Sequence, residues 1–161
     1  MIKKQFYSWE ELIKDCLILA RKLKSKKFST KGGPASGWDF IVAISRGGLM
    51  PATLLAYLLK VKKVNTISYS HYLADGVTGK LKLVLPAHTD VKDSRVLLVD
   101  DKTDTGETLL SAKKFLERRN NRIITAVLHL NPKSIIKPDC FIHKVNIWIV
   151  YPWEPPYKKG R

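Results

Sequence analysis

The sequence predicts an α/β fold in which a mostly parallel β-sheet is flanked by helices. Strand-like apolar runs alternate with helical runs along the 161-residue chain. The runs at 40–44, 96–99 and 123–130 are continuously apolar, which is typical of parallel strands that are covered on both faces. Because ligands of such folds bind at the carboxyl ends of strands, the turns that follow these runs are the first candidates for a functional site.

The first predicted helix runs from about residue 9 to 24. Ser8 and Glu11 form a capping box at its start. Apolar residues then recur at helical spacing, namely Trp9, Leu12, Ile13, Cys16, Leu17, Ala20 and Leu23. The stretch 25–37 is rich in Lys, Ser, Gly and Pro, which predicts a loop.

A buried strand is predicted over 39–44, followed by a Ser-Arg-Gly-Gly turn at 45–48. Pro51 then fits the first turn of a second helix, whose apolar residues include Leu54, Leu55, Leu58 and Leu59. The runs at 64–69 and 81–85 predict two further strands, with two glycines between them. We expect these strands to form a long, mobile hairpin that acts as a lid.

The second half of the chain predicts a strand over 96–99 and a helix over 105–118. Three apolar residues of this helix share one face, namely Leu109, Ala112 and Leu116. Further strands are predicted over 123–130 and 146–150. No internal repeat or long linker divides the sequence, which therefore predicts a single domain over 1–161.

The composition indicates a globular protein of the reduced cytoplasm. The hydrophobic fraction is 45%, and no run of eighteen apolar residues predicts a membrane span. The first residues lack the apolar region of a signal peptide. The two cysteines, Cys16 and Cys140, lie far apart and show neither metal-ligand spacing nor a disulfide framework.

The formal net charge of +15 is unusual and has three interpretations. Six Lys or Arg residues fall within 21–31, and three more fall within 158–161. This charge can be a solvated surface, it can concentrate an anionic small substrate, or it can bind nucleic acid. The basic residues are not interleaved with aromatic residues, which disfavours the third interpretation.

The most informative segment is 96–109, in which an apolar run ends in Asp100 and Asp101 and a Thr-Gly pair precedes a helix. Side chains alternate at a strand end, so the two carboxylates point in different directions. Mg²⁺ prefers one or two carboxylates together with substrate oxygens, while the free N–H groups of a helix start suit a phosphate. The alternative is a solvated strand end, with Asp104 or Thr105 as a simple N-cap.

The turn at 45–48 is a second candidate anion site. Its two glycines expose backbone N–H groups, and Arg46 adds a forked donor. The alternative is a tight connection between a strand and a helix. We expect the two loops to face one another across one crevice.

In order and spacing, the two loops resemble those of the type I phosphoribosyltransferases. Segment 96–109 resembles the family's phosphoribosyl-pyrophosphate motif, and 41–51 resembles its pyrophosphate loop. The early Trp9-Glu10 pair, Lys137-Pro138-Asp139 and the segment 148–154 extend the resemblance to the 6-oxopurine branch, which uses xanthine, guanine or hypoxanthine. The resemblance implies that family's fold, with a small base-binding hood and a flexible lid loop within 69–88.

The resemblance also implies an activity and roles for individual residues. The family transfers ribose 5-phosphate from phosphoribosyl pyrophosphate to a purine nitrogen, with Mg²⁺ as cofactor, and releases pyrophosphate in purine salvage. By this resemblance Asp100 and Asp101 hold the ribose hydroxyls and the metal, and Asp104 is the general acid/base near N7. The 5′-phosphate is bound by Asp104, Thr105, Gly106, Glu107 and Thr108, the pyrophosphate by Ser45, Arg46 and Gly47, and the base by Trp148 and Ile149.

Two departures from the family pattern concern lysines. Relatives commonly carry a Lys that bonds the purine O6 at the position of Asn131, and Lys133 is expected to take over that contact. Lys102 stands within the acidic motif, where it could tune the metal site.

The resemblance further implies self-association, since relatives of this branch usually form oligomers. No membrane partner is expected, because the sequence has no run of eighteen apolar residues. The main alternative is a regulatory protein that senses phosphoribosyl pyrophosphate and binds nucleic acid, which the net charge motivates. A pyrimidine-specific transferase is disfavoured by the segment 148–154.

Overall fold

The computed structural model describes residues 4–25, 37–74 and 77–154, with the backbone alone for 71–74, 77, 78 and 80. The loop predicted over 25–37 and the basic cluster at 158–161 lie largely or wholly outside these residues. In chain order the elements are β1 (Lys4–Phe6), α1 (Trp9–Ser25), β2 (Phe40–Ser45), α2 (Leu49–Leu59), β3 (Val64–Ala74), β4 (Val77–Leu85), β5 (Arg95–Thr103), α3 (Glu107–Glu117), β6 (Arg122–Leu130), β7 (Cys140–Lys144) and β8 (Trp148–Val150).

Six strands form the main sheet in the order β4-β3-β2-β5-β6-β7. All neighbouring pairs are parallel except β3 and β4, which pair antiparallel as a hairpin. The predicted mostly parallel sheet and the predicted hairpin are therefore confirmed. The hairpin tip at 75–76 lies outside the described residues, so its function as a lid stays a prediction.

Both faces of the main sheet are covered, as the continuous apolar strands predict. Alternate residues of β5 point to opposite faces because the side-chain period of a strand is two. Leu97 packs in the core formed with α1 and α2, whereas Leu98 packs in the core formed with α3. The predicted inner residues of α3, Leu109, Ala112 and Leu116, are all buried.

The start of α1 agrees with the sequence, but its buried face is only partly the predicted one. The Glu11 N–H donates to Ser8 Oγ at 3.1 Å, and the Ser8 N–H donates to Glu11 Oε2 at 2.7 Å, which completes the capping box. Three residues of the predicted apolar stripe, Trp9, Ile13 and Leu17, are exposed. The apolar stripe of this helix is wider than the surface that packs on the sheet.

Two strands, β1 and β7, are absent from the sequence-based prediction. The three residues of β1 are exposed, and this strand is held by parallel pairing with β8 near the other end of the chain. The strand β7 occupies the edge of the main sheet beside β6. Both cysteines are buried, and neither forms a disulfide within the described residues. No helix in the described ranges is long and apolar enough to cross a membrane.

Candidate active site

The two candidate loops lie side by side because their strands are neighbours. The parallel strands β2 and β5 pair with Ala43 opposite Val99, so the turn at 45–48 and the acids at 100–101 emerge from the same sheet edge. A Cβ atom at Gly47 would collide with the carboxylate of Asp101. Glycine is therefore required where the first loop meets the second.

The turn at 45–48 presents backbone groups and one guanidinium. The Ser45-Arg46 peptide bond is cis, and the Gly48 N–H donates to Ile44 O at 2.9 Å as the chain enters α2. A Cβ atom at Gly48 would lie 2.5 Å from Val99 O and 2.6 Å from Ile44 O, so this glycine also lies at a close backbone approach. The Arg46 side chain is exposed and accessible to an anion.

The acids at the end of β5 are held in an environment that disfavours their charge. The Asp101 N–H donates to Asp100 Oδ1 at 2.9 Å, and the Lys102 N–H donates to Asp101 Oδ1 at 2.6 Å. Burial, reinforced by the neighbouring Asp101 charge, raises the pKa of Asp100 well above its ordinary value. Burial also raises the pKa of Asp101 to about 6.

A third acid, Glu154, adds to this concentration of carboxylates. Its charge contributes to the raised pKa of Asp101. Within the described part of the chain its Oε2 atom is buried and accepts no hydrogen bond. Sequence reasoning had included Glu154 only as the last residue of the segment 148–154, so its acidic role was missed.

The chemistry of these donors fits a divalent cation that also takes oxygens from a ligand. Side-by-side buried carboxylates favour a bound cation, which would stabilise their ionised forms. Within residues 4–25, 37–74 and 77–154, no three His, Cys, Asp or Glu side chains are grouped as a metal cage. Mg²⁺ needs no such cage, since it commonly binds one or two carboxylates plus substrate oxygens and water.

The segment after β5 forms a cavity of about 210 Å³ at the start of α3. Its lining combines acids, hydroxyls and a glycine, namely Asp100, Lys102, Thr103, Asp104, Thr105, Gly106, Thr108 and Leu109. Free N–H groups at a helix start and hydroxyl donors suit a phosphate. Glu107, the first residue of α3, is exposed beside this lining.

The N-cap of α3 is Gly106, which corrects the alternative assignment of the cap to Asp104 or Thr105. Gly106 has φ of +91°, and a Cβ atom there would lie 2.9 Å from Ile136 Cγ2. Both the conformation and the crowding require glycine. Thr105 still supports the helix start, because its Oγ1 accepts the Glu107 N–H at 3.3 Å.

Asp104 is turned toward a second group of polar residues. Its Oδ1 accepts a hydrogen bond from Asn131 Nδ2 at 2.6 Å and lies 3.6 Å from Lys102 Nζ. Lys102 Nζ also lies 3.5 Å from Ile147 O and 5.9 Å from the ring centroid of Trp148. The structure thus brings Asn131 and Trp148, which are distant in the sequence, together with Lys102 and Asp104.

The two-stranded sheet of β1 and β8 carries Trp148 and Ile149 beside this polar group. Trp148 pairs with Lys4 and is 42% exposed, whereas Ile149 pairs with Gln5 and is buried. An indole of this exposure offers a broad face for stacking. The predicted hood corresponds in position to this small sheet.

Lys133 contributes a backbone group to the same region. Its N–H donates to Asn131 Oδ1 at 3.0 Å, and its side chain is exposed. The contact expected of its ammonium with a base stays a prediction.

A chain of polar groups that sequence reasoning missed lies beside the two acids, and all of its members except His143 are buried. The Tyr151 hydroxyl donates to Asp101 O at 3.2 Å and lies 2.9 Å from His129 Nδ1. The same histidine ring stacks on His143, whose Nε2 is 2.6 Å from Asp15 Oδ2. Asp15 is a buried residue of α1, and it also accepts a hydrogen bond from the Tyr7 hydroxyl at 2.6 Å.

The protonation state of His129 follows from this environment. Burial, reinforced by the neighbouring His143, lowers the pKa of the His129 imidazole to about 4. Since Tyr151 donates its proton to Asp101 O, the neutral ring places its own proton on Nδ1 and donates to the tyrosine. The backbone that carries Asp101 is therefore held by two buried aromatic residues.

Comparisons with a family model and with solved structures agree on one protein family. A model described as "Phosphoribosyl transferase domain" matches residues 8–159. A purine phosphoribosyltransferase from Pyrococcus horikoshii Ot3 is 30% identical, with 98% of this chain and 99% of that chain covered and a TM-score of 0.83.

Two further solved structures share the fold. A xanthine-guanine-hypoxanthine phosphoribosyltransferase from Helicobacter pylori is 22% identical, covers 94% of each chain and has a TM-score of 0.75. A hypothetical protein from Neisseria gonorrhoeae with bound ppGpp is 25% identical, covers 97% of this chain and 92% of that chain and has a TM-score of 0.74.

These comparisons confirm the fold class and the family that the two loops predict. The family model spans nearly the whole chain, and the similarity to the Pyrococcus structure extends over 98% of it. The chain belongs to the type I phosphoribosyltransferase family of enzymes.

Proposed function

We propose that this enzyme transfers ribose 5-phosphate from phosphoribosyl pyrophosphate to a 6-oxopurine base in a Mg²⁺-dependent reaction. The products are the nucleoside monophosphate and pyrophosphate. The observation that carries the proposal is the close approach of Gly47 to Asp101. This approach joins the loop that carries Arg46 to a carboxylate pair and to the cavity of about 210 Å³ beside it. The names of the Pyrococcus and Helicobacter proteins support a purine as acceptor.

The two ends of the donor substrate need different partners. The 5′-phosphate suits the hydroxyls and N–H groups around Thr105, Gly106 and Thr108, with Glu107 at the start of the helix. The pyrophosphate suits the turn of Ser45 and Gly47 and the guanidinium of Arg46. When the bond from ribose C1 to pyrophosphate breaks, negative charge grows on the leaving group, so Arg46 is positioned to stabilise it.

Asp100 and Asp101 would hold Mg²⁺ and the ribose hydroxyls. When bound, the metal ion would stabilise negative charge on the pyrophosphate oxygens. The burial that raises the pKa values of both acids indicates a site prepared for a positive partner. Tyr151 positions this backbone through its hydrogen bond to Asp101 O.

Asp104 is the proposed general base. The purine N9 forms the new bond to ribose C1 while the N7 proton passes to the Asp104 carboxylate, which keeps the neutral base as product. The hydrogen bond from Asn131 orients the Asp104 carboxylate. The Asp104 side chain is 61% exposed, so a purine base can reach it. Trp148 would stack on the base while the backbone at Ile149 reads its edge.

The test is to incubate the protein with phosphoribosyl pyrophosphate, Mg²⁺ and each of xanthine, guanine, hypoxanthine, adenine and uracil. We expect nucleotide product from one or more 6-oxopurines and its loss on removal of the metal by a chelator. Absence of product with every base would refute the enzymatic proposal. Salt-sensitive binding of nucleic acid without turnover would support the regulatory alternative that the net charge of +15 motivates.

Self-association and a cytoplasmic location complete the proposal. The first derives from the resemblance to the family, and the second derives from the composition and the cysteine content. Size determination in solution tests the first directly.

A further inference from the structure

Three polar side chains, those of Asn131, Lys102 and Lys133, lie near Asp104, the proposed general base. Their contacts indicate different functions. Asn131 already has a partner at each end of its amide: Nδ2 donates to Asp104 Oδ1 at 2.6 Å, and Oδ1 accepts the Lys133 N–H at 3.0 Å. Its backbone N–H also donates to Thr103 O at 2.9 Å. Asn131 therefore braces the loop and orients Asp104, and reading a base would require it to break these bonds.

Lys102 is placed differently. Its side chain is only 16% exposed, and its ammonium lies 3.6 Å from Asp104 Oδ1 and 3.5 Å from Ile147 O. Both distances are at the outer limit of hydrogen bonding, so this ammonium can move onto a better acceptor. The Trp148 ring, whose centroid is 5.9 Å away, lies on the same side of the site.

The chemistry of a 6-oxopurine matches this spacing. The ring nitrogen N7 and the carbonyl oxygen O6 are neighbours on one edge of the ring. With Asp104 at N7, as in the proposed function on which this inference rests, a group 3.6 Å from the Asp104 carboxylate lies close to O6. An ammonium group only donates hydrogen bonds, so it binds a carbonyl oxygen and disfavours an amino group at the same position.

We propose that Lys102 is the residue that recognises O6 of the base and rejects adenine. This residue comes from the acidic motif, so the lysine within that motif sets base specificity while its neighbours hold ribose and metal. Asn131 acts as a positioning residue for Asp104. Lys133, which is exposed, is not required for the O6 contact.

The test compares Lys102→Met, Lys133→Met and the surface control Lys92→Met, with hypoxanthine and adenine as substrates. We expect Lys102→Met to lower kcat/KM for hypoxanthine by roughly 10- to 150-fold, the range of a hydrogen bond to a charged group. The KM for phosphoribosyl pyrophosphate should stay within about twofold, because the Lys102 ammonium lies beside Asp104 Oδ1 and Ile147 O and not at the start of α3. Lys92→Met should match the wild type, and Lys133→Met should keep the wild-type preference for hypoxanthine over adenine.

Equal losses in Lys102→Met and Lys92→Met, or a loss confined to Lys133→Met, would overturn the assignment. Binding of IMP and AMP by calorimetry gives a readout that does not depend on turnover. The two nucleotides share ribose and phosphate, so AMP serves as an internal control for folding and for the shared contacts. We expect Lys102→Met to weaken IMP by at least about tenfold and to leave AMP within about threefold.

The two proposals can fail separately. If the wild type makes no product from any 6-oxopurine but prefers IMP to AMP through Lys102, only the proposed function fails. If the wild type uses hypoxanthine and Lys102→Met keeps the preference for IMP, only the role of Lys102 fails.

Discussion

The two ends of the candidate site, the proposed phosphate end and the proposed base end, are built in different ways. At the phosphate end, the binding groups come from the two short segments 45–48 and 100–108, and glycines at 47, 48 and 106 let the backbone approach closely. At the base end, Asn131 after β6 and Trp148 of β8 join Lys102 and Asp104 at the end of β5. Local sequence therefore determines the first end, whereas packing of distant strands determines the second.

The largest effect should come from the residue that belongs to both ends. Asp104→Asn keeps an oxygen for the Asn131 hydrogen bond but removes the base that takes the N7 proton. We expect turnover to fall by about 10²- to 10⁴-fold, with binding of phosphoribosyl pyrophosphate nearly unchanged. Single-turnover kinetics measures this, and a full rate in the variant would assign Asp104 to a structural role.

The phosphate end can be disturbed alone with Gly47→Ala. The new methyl group would collide with the Asp101 carboxylate and push the two loops apart. We expect kcat/KM for phosphoribosyl pyrophosphate to fall by about a hundredfold, because misplacement by about 1 Å has this cost. The affinity for the purine base should change less. An unchanged kcat/KM for phosphoribosyl pyrophosphate would contradict the close approach of the two loops.

The polar chain beneath both ends should give the protein a pH-dependent stability. The pKa of His129 is about 4 in the folded protein and 6.5 in the unfolded chain, so the unfolded state binds the proton first as pH falls. Stability from this residue is full above pH 6.5 and is lost progressively as pH falls toward 4. We expect the free energy of unfolding to drop by about 2 kcal/mol between pH 7 and pH 5 from this residue.

Urea unfolding at each pH measures this effect. The matched variant His129→Gln lacks the titrating imidazole, so its pH dependence should be shallower by about the same 2 kcal/mol. Parallel curves for the two proteins would show that His129 is not held neutral.

The smallest effect should follow from Tyr151→Phe, which removes the hydroxyl that links His129 to Asp101 O. We expect a loss of about 1 kcal/mol in the free energy of unfolding, since one neutral hydrogen bond is removed and two partners lose a contact. Activity should fall only a few-fold if the hydroxyl positions the acids without touching substrate. A loss as large as that of Asp104→Asn would place Tyr151 in the chemistry itself.

Much of the phosphate end was predictable because its signals are local. An apolar run, paired acids and a Thr-Gly step are consecutive, and the requirement for glycine follows from the backbone itself. The N-cap of α3 is Gly106, not Asp104 or Thr105, and the Asp104 carboxylate instead accepts a hydrogen bond from Asn131, a residue 27 positions away. No local rule includes such a partner.

The prediction of the buried face of α1 was only partly correct, because burial also depends on distant parts of the chain. Helical spacing correctly predicts that Leu12, Cys16, Ala20 and Leu23 are buried, but it does not distinguish the packed part of a wide apolar stripe. Asp15 is buried because Tyr7 and His143 supply its hydrogen bonds, and His143 is 128 positions distant. A short exposed strand such as β1 is likewise recognisable only through its partner β8.

The sequence by itself determined the alternation of strands and helices, the position of both anion loops and the family, because side-chain period, glycine and consecutive acids act over a few residues. Only the tertiary structure decided how the base end is assembled, that Asn131 is engaged while Lys102 faces the indole, and that a neutral histidine supports the acids. The physical reason is that hydrogen bonds, burial and charge depend on which strands become neighbours. Sequence spacing carries that information only where the partners are close along the chain.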